Sequence, residues 1–139
     1  MAAYNKINQF VQDLATKKHD LSADVMTIGL TTTANKPVAT NTILGNLTVI
    51  AYTNLSARVP TFTSCAQTAG TLKYIVADLV LTASGPVAAF GAIVLYNDTQ
   101  TVPAKPLVAW WEYGSDVTMA NTETFTLDFD NVNGILELV

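Results

Sequence analysis

The spacing of apolar residues along the chain changes once, near residue 20. Before that point Ile7, Phe10, Val11 and Leu14 recur at intervals of three and four residues, with polar side chains between them. A period of 3.6 residues places these four side chains on one face of a helix. The pattern predicts an amphipathic helix over residues 3–19 whose apolar face is buried.

Downstream of this helix the apolar residues alternate with polar ones, as in strands that have one buried face. Turns rich in Gly, Pro, Asn and Ser divide the region into eight predicted strands. In the fourth of these the phase of the alternation shifts at Asp78, which indicates a bulge or a corner between two sheets. The predicted strands cover residues 24–32, 47–52, 58–66, 71–82, 90–96, 107–113, 122–129 and 135–139.

This succession of short strands predicts an all-β fold. Strands that follow one another at roughly 8 to 14 residues, with no second helical pattern, are typical of an antiparallel β-sandwich or barrel. Eight strands favour a sandwich of jelly-roll type in particular. We expect a single domain over residues 1–139, in which the sandwich occupies residues 24–139.

Charged residues are scarce, and this bears on the surface of the domain. They make up 13% of the sequence, against about 25% in soluble domains. Since the cores of protein interfaces are depleted in charge, much of this surface is expected to be covered by other subunits. The net charge is −4 and Arg58 is the only arginine, which argues against a nucleic-acid partner. The sequence predicts neither a membrane span nor a signal peptide, and therefore synthesis in the cytoplasm.

The acidic residues cluster towards the end of the chain. Six follow Leu107, and no Lys or Arg accompanies them. This distribution leaves two interpretations open, a solvated acidic rim and an electrostatic docking face.

The residues that usually carry catalysis are almost missing. His19 is the only histidine and is interpreted as a solvated or helix-capping residue at the end of the predicted helix. Cys65 is the only cysteine and is expected to be a small core side chain rather than a reactive thiolate. Asp128 and Asp130 lie two apart on one strand and so point the same way, unlike a glycosidase pair. We predict no enzymatic activity.

No cofactor is expected either. The segment from Asp128 to Gly134 begins like a calcium loop, but Val132 replaces a ligand and the chain ends where the bidentate Glu should stand. A cupin-like metal site would need several histidines. We therefore predict no metal and no catalytic residue.

The segment Trp110-Trp111-Glu112 is the candidate interface. Successive strand residues face opposite ways, so one tryptophan is expected in the core and the other outside. Because Glu112 shares its parity with Trp110, we assign Trp111 to the core. Trp110 is then either an interface anchor or an ordinary rim residue. The possible interface residues are Trp110, Glu112 and Phe10.

Segments along almost the whole chain carry a family resemblance, and they are fold-level features rather than catalytic motifs. They are residues 1–6, 8–14, 23–24 and 28–31, 53–58 (TNLSAR), 96–99 (YNDT), 106–107, 125–129 (FTLDF) and 133–134 (NG). These segments resemble a group of short virion proteins of tailed bacteriophages. The similarity includes the jelly-roll capsid cement (decoration) proteins, a family with a member on the shell of a Bordetella phage.

This resemblance implies a structural virion protein that is made in the host cytoplasm and sits on the capsid exterior. It implies a homodimer that clamps neighbouring subunits of the major capsid protein. Because the group also contains virion proteins of other positions, a receptor-binding module of the tail or of a head fibre remains the alternative.

Overall fold

The computed structural model describes residues 3–139, and most of its regular structure is β. All strand pairs in it are antiparallel, as predicted. One α-helix, α1, spans Asn8–Ala15, and short 3-10 turns span Thr33–Asn35 and Leu44–Asn46. The strands are β1 (Asn5–Lys6), β2 (Met26–Thr31), β3 (Phe62–Thr68), β4 (Thr71–Val76), β5 (Leu79–Thr82), β6 (Val87–Asn97), β7 (Leu107–Met119), β8 (Thr124–Leu127) and β9 (Leu136–Leu138).

The strands form three sheets that pack in layers. The largest has the order β1-β7-β6-β2, and the others are β3-β4-β9 and β5-β8. The aromatic ring of Phe125 on β8 lies 5.3 Å from that of Phe90 on β6, and the ring of Phe129 lies 5.9 Å from that of Trp111 on β7. These edge-to-face contacts hold β8 and the residues after it against the four-stranded sheet.

The two smaller sheets continue each other through β4 and β5. Only Ala77 and Asp78 separate these strands, and the Asp78 carboxylate accepts a hydrogen bond from the backbone N–H of Phe129. β9 pairs with β4 and β8 pairs with β5, while the chain that leads into β3 bonds the opposite side of β4 and β5. β3 and β8 therefore lie on opposite sides of the β4–β5 chain.

Arg58 connects the segment before β3 to β2, the edge strand of the four-stranded sheet. Its backbone C=O accepts a hydrogen bond from the N–H of Ile28 on β2, and its Nε donates to the C=O of Ile28. The guanidinium lies 4.7 Å from the ring of Tyr52, a cation–π distance. These contacts tie the segment before β3 to the edge of the four-stranded sheet.

The core fills the space between the layers. Apolar side chains of β2, β6 and β7 supply most of it, and Ile7 and Phe10 add to it from the start of α1. The largest fully buried side chains are Tyr96, Phe10, Phe90, Ile7, Ile28, Leu30, Leu81, Leu95, Leu107, Val76, Val94 and Val108.

The predicted helix over residues 3–19 is too long at both ends. Asn5 and Lys6 instead pair with Trp110 and Ala109 of β7. At the other end α1 stops at Ala15, and Lys17 has a φ of 61°, in the left-handed region that ends helices.

The apolar face of α1 is also narrower than predicted. Val11 is 51% exposed, whereas Phe10 is 1% exposed. Because α1 has only about two turns, two or three buried side chains suffice to pack it against the core.

The predicted strand over residues 47–52 is wrong. This segment runs across the outside of the four-stranded sheet, where side chains of Val49 and Leu44 lie against Gly29 of β2. It makes one ladder-like bond, from the Ile50 N–H to the Leu30 C=O. Its apolar residues alternate because every second side chain packs on the face of the sheet. A loop that lies on a sheet can show this pattern as well as a strand can.

Two other sequence signals correspond to irregular pairing. The phase shift at Asp78 is confirmed as the break between β4 and β5. The predicted end of a strand at residue 113 is wrong, because β7 continues through Gly114, Ser115 and Asp116 as a bulge opposite β6. Phe90 pairs with Val117 and Ala92 with Glu112, so four residues of β7 face Gly91 alone.

Candidate docking surfaces

The three residues predicted for an interface lie in different surroundings. Phe10 belongs to the core and is 1% exposed. Trp110 is 7% and Trp111 8% exposed, so the expectation that one tryptophan emerges is wrong, while the assignment of Trp111 to the core is confirmed. Glu112 is half-buried. Their role in an interface stays a prediction.

Trp110 is contacted by a residue that is distant in sequence. Lys36 Nζ lies 6.0 Å from the Trp110 ring centroid and 2.9 Å from a carboxylate oxygen of Glu112. This ion pair holds the ammonium group within cation–π distance of the indole. The alternation of side chains along β7 could not predict the contact, because residues 33–41 carry no regular pattern that places them near the sheet.

His19 is buried, which contradicts its interpretation as a solvated residue. Its ring lies 5.2 Å from that of Phe10, and its Nδ1 is 3.2 Å from Nδ2 of the buried Asn97. Burial lowers the pKa of His19 from its ordinary value, and the carboxylates of Asp13 and Asp24 partly offset this. The neutral imidazole thus forms part of a polar network that connects the end of α1 to β6.

Cys65 lies half-buried on β3, and burial raises the pKa of its thiol. Its neighbours in a shallow cleft include Leu14, Leu21 and Leu72. The thiol is therefore held in its neutral form at pH 7, as expected for a packing residue.

The first candidate docking surface is the outer edge of β3, which we call the β3 edge (residues 59–68). Among the described residues β3 pairs only with β4. No charged residue lies between Arg58 and Lys73. Most of β3 is exposed, and Val59 and Phe62 are each 46% exposed. The surface thus combines unpaired backbone groups with apolar side chains.

The second candidate surface is a groove of about 500 Å³ between β7 and β8, which we call the seam groove. Among the described residues β7 and β8 belong to different sheets and are not paired with each other, and the groove runs between them. Aromatic side chains line the opening. They are Tyr4, Trp111, Tyr113, Phe125 and Phe129.

The aromatic residues of the seam groove contact one another in two groups. Trp111 lies between Tyr4, at 6.1 Å, and Phe129. Tyr113 lies 5.3 Å from Phe125 and is 56% exposed. Trp111 and Phe129 form the floor of the groove, and Tyr113 stands at its rim.

The polar lining of the seam groove is acidic. Among residues 3–139, Asp128 and Asp130 are the carboxylates that line it, and no Lys, Arg or His does so. Asp130 accepts hydrogen bonds from the backbone N–H groups of Val132 and Asn133, which lower its pKa. The exposed Asp128 has no such partner among the described residues, so its carboxylate is available to a ligand.

Sequence reasoning predicted the sides that residues 122–129 present. The alternation is confirmed: Leu127 and Phe129 are buried, and Thr126 and Asp128 are exposed. The groove itself was missed because its walls come from β7, β8 and Tyr4 before β1. The acid-only end of the chain was the one signal that pointed to it.

Among residues 3–139, no group of three or more His, Cys, Asp or Glu side chains is arranged to hold a metal ion. In the same part of the chain no helix is long and apolar enough to cross a membrane.

No protein-family model matches this chain, and comparisons with curated proteins and with solved structures find no match either.

Proposed function

We propose that this chain is a structural virion protein, a capsid cement protein that binds the outside of a phage head and clamps neighbouring major capsid protein subunits. The proposal rests on the resemblance to the cement proteins of tailed phages and on the nature of the β3 edge. The antiparallel layers are compatible with the jelly-roll sandwich that the resemblance implies. In this proposal two copies pair on the capsid exterior after synthesis in the host cytoplasm, and no enzymatic activity is involved.

The β3 edge is the observation that carries the proposal. An unpaired strand offers a row of N–H and C=O groups, which monomeric proteins usually protect with Lys, Pro or a covering loop. Pro60 precedes β3 and a bulge interrupts its pairing between Phe62 and Ser64, but β3 contains no Lys and no Pro. An uncharged, unpaired strand is suited to pairing with a strand of another subunit.

A cement protein also needs contacts that act together. One contact of a few kcal/mol is weak by itself, but each copy that ties two capsid subunits makes the second contact intramolecular. The position of the β3 edge and the seam groove on opposite sides of the β4–β5 chain allows one copy to contact two neighbours.

The test is reattachment of the purified protein to phage heads that lack it, measured by cosedimentation. Ala66→Lys places a charge in the middle of the β3 edge, where it blocks strand pairing without disturbing the core. Thr40→Lys is the matched control, since Thr40 lies exposed in a turn. We expect Ala66→Lys to lower the fraction bound at least tenfold and Thr40→Lys to bind like the wild type.

Equal binding by both variants would remove the β3 edge from the proposal. Failure of the wild-type protein to bind any head would reject the cement function itself.

The aromatic side chains of the seam groove favour one alternative, a receptor-binding module of a tail or head fibre. Aromatic side chains are common in sites that bind host surface molecules. Copy number per virion separates the two functions, and densitometry of a stained gel measures it. Hundreds of copies support the shell position, whereas a few tens or fewer support the tail or fibre.

A further inference from the structure

We propose that the seam groove binds an extended, basic segment of a partner protein, which adds to β8 as a new strand. The identity of the protein that supplies the segment rests on the proposed function, where it is the major capsid protein. The mode of binding is argued from the groove alone.

The backbone of β8 supplies the first part of the argument. Among the described residues β8 pairs only with β5, and its other edge faces the opening of the seam groove. Its four residues span about 13 Å, which is the length of a short added strand. The free edge therefore offers hydrogen bonds that any extended chain can satisfy.

The alternation of β8 then determines the side chains that fit. Phe125 packs its ring against Phe90 and Tyr113 and Leu127 is buried, while Thr126 and, just after β8, Asp128 are exposed. On an added strand every second residue would enter the groove, and the residues between would lie beside Thr126 and Asp128. The floor accepts apolar side chains, and the outer row accepts polar ones.

Charge complementarity defines the partner further. The carboxylate of Asp128 is free, the nearby Asp130 adds negative charge, and no basic residue of the described chain lines the groove. A Lys or Arg beside Asp128 would form a charge-assisted hydrogen bond at the rim. The expected segment has alternating apolar residues and one basic residue in the outward phase.

A glycan is less compatible with the groove. The rings of Trp111 and Phe129 are more than nine-tenths buried, so they do not present open faces for a sugar to stack on. Asp130 already accepts hydrogen bonds within its turn, which leaves one free carboxylate to bind hydroxyl groups.

The test uses a display library of random decapeptides selected on the immobilised full-length protein. We expect enriched peptides to alternate apolar and polar residues and to share one Lys or Arg. The backbone amide signals of residues 124–129 should shift when such a peptide is added. Asp128→Lys should weaken binding by about tenfold or more. Glu137→Lys, an exposed acid of the same region outside the groove, should change it by less than about twofold.

A peptide methylated on alternate backbone nitrogens provides a second test, because it keeps its side chains but cannot donate to β8. It should fail to bind. The proposal is overturned if no peptide is enriched, if enriched peptides tolerate both Asp128→Lys and methylation, or if an oligosaccharide panel shifts the same amides and no peptide does.

The peptide measurement and the reattachment of the protein to phage heads test different proposals, so one can fail without the other. Heads that bind the protein while peptides do not would reject the seam groove and leave the cement function standing. The reverse result would retain the groove and reject the cement function.

Discussion

Gly91 is the residue on which the bulge between β6 and β7 depends. A Cβ at this position would lie 2.5 Å from Oδ1 of Asp116 and 2.8 Å from the backbone oxygen of Ser115. The same Asp116 oxygen accepts a hydrogen bond from the Thr33 N–H at 2.7 Å. The missing side chain therefore allows the bulge to close against β6 and to hold residue 33.

Replacing Gly91 with Ala should lower the free energy of unfolding by about 1–3 kcal/mol, because backbone atoms as well as side chains must shift. Gly45→Ala is the control, since its Cβ would meet only the Ile43 side chain at 3.6 Å and should change stability by less than about 0.5 kcal/mol. Urea denaturation measures both. Equal stabilities would mean that the bulge can open at no cost.

His19 makes stability depend on pH. The Asn97 amide oxygen accepts hydrogen bonds from Thr99 and Gln100, which directs its NH₂ group to Nδ1 of His19. Protonation would place an N–H against this NH₂ group. Since the pKa of His19 is lower in the folded chain than its ordinary value of 6.5, the unfolded chain takes up the proton first.

The stability that the neutral ring contributes is therefore complete above about pH 6.5 and is lost as the pH falls through the lower pKa of the folded state. We expect the free energy of unfolding to fall between pH 7 and pH 5 and expect His19→Gln to reduce that fall. Thermal unfolding at several pH values measures it. The same slope in both proteins would assign the pH dependence to carboxylates instead.

At the residue scale, the sequence predicted burial correctly where the burial of a side chain depends only on the strand that carries it. Leu127 and Phe129 face the core because alternation alone determines their side. The predicted exposure of Trp110 and of His19 was wrong, because their surroundings depend on distant segments. Lys36 lies near the Trp110 ring, and Asn97 and Phe10 lie against His19.

α1 shows at the scale of the element how little of an amphipathic pattern is needed for docking. Phe10 and Ile7 enter the core, whereas Val11 on the same predicted face is half exposed. Truncation of Phe10 to Ala should lower the free energy of unfolding by about 3–5 kcal/mol. Val11→Ala should change it by less than about 0.5 kcal/mol. Chemical denaturation that shows similar losses for both would restore the wide apolar face.

Elements were predictable where one period of apolar residues coincided with one hydrogen-bonding pattern. The break at Asp78 is such a case, because the phase shift and the change of partner strand occur together. The strand predicted over residues 47–52 was wrong, because a loop that packs on a sheet face has the same alternation as a strand. The strand break predicted at residues 114–116 was wrong, because a bulge has the same residue types as a turn. The groove between β7 and β8 depends on tertiary arrangement, which no local pattern encodes.

At the scale of the whole molecule, few charges are available to either docking surface. The β3 edge has none, and the seam groove adds one free carboxylate. Attachment to heads should then rest on apolar burial and backbone pairing. Raising the salt concentration from about 0.1 M to 0.5 M should weaken it by less than about tenfold, since an exposed ion pair contributes about 0–1 kcal/mol.

Cosedimentation over a salt series measures this dependence. Release of the protein from intact heads by moderate salt alone would identify an electrostatic dock instead, with the acidic residues after Leu107 as its source.

Arg58 ties the segment before β3 to β2 by hydrogen bonds, whereas among the described residues aromatic contacts, and no hydrogen bond, join β8 and Phe129 to the four-stranded sheet. Backbone amides of β2 near Ile28 should therefore exchange with deuterium only when the whole domain unfolds, while those along β8 exchange through smaller openings. A partner strand on β8 would have to suppress these openings before it gained from its own contacts. The binding energy of such a strand would thus be divided between holding the partner and completing the fold of the protein that receives it.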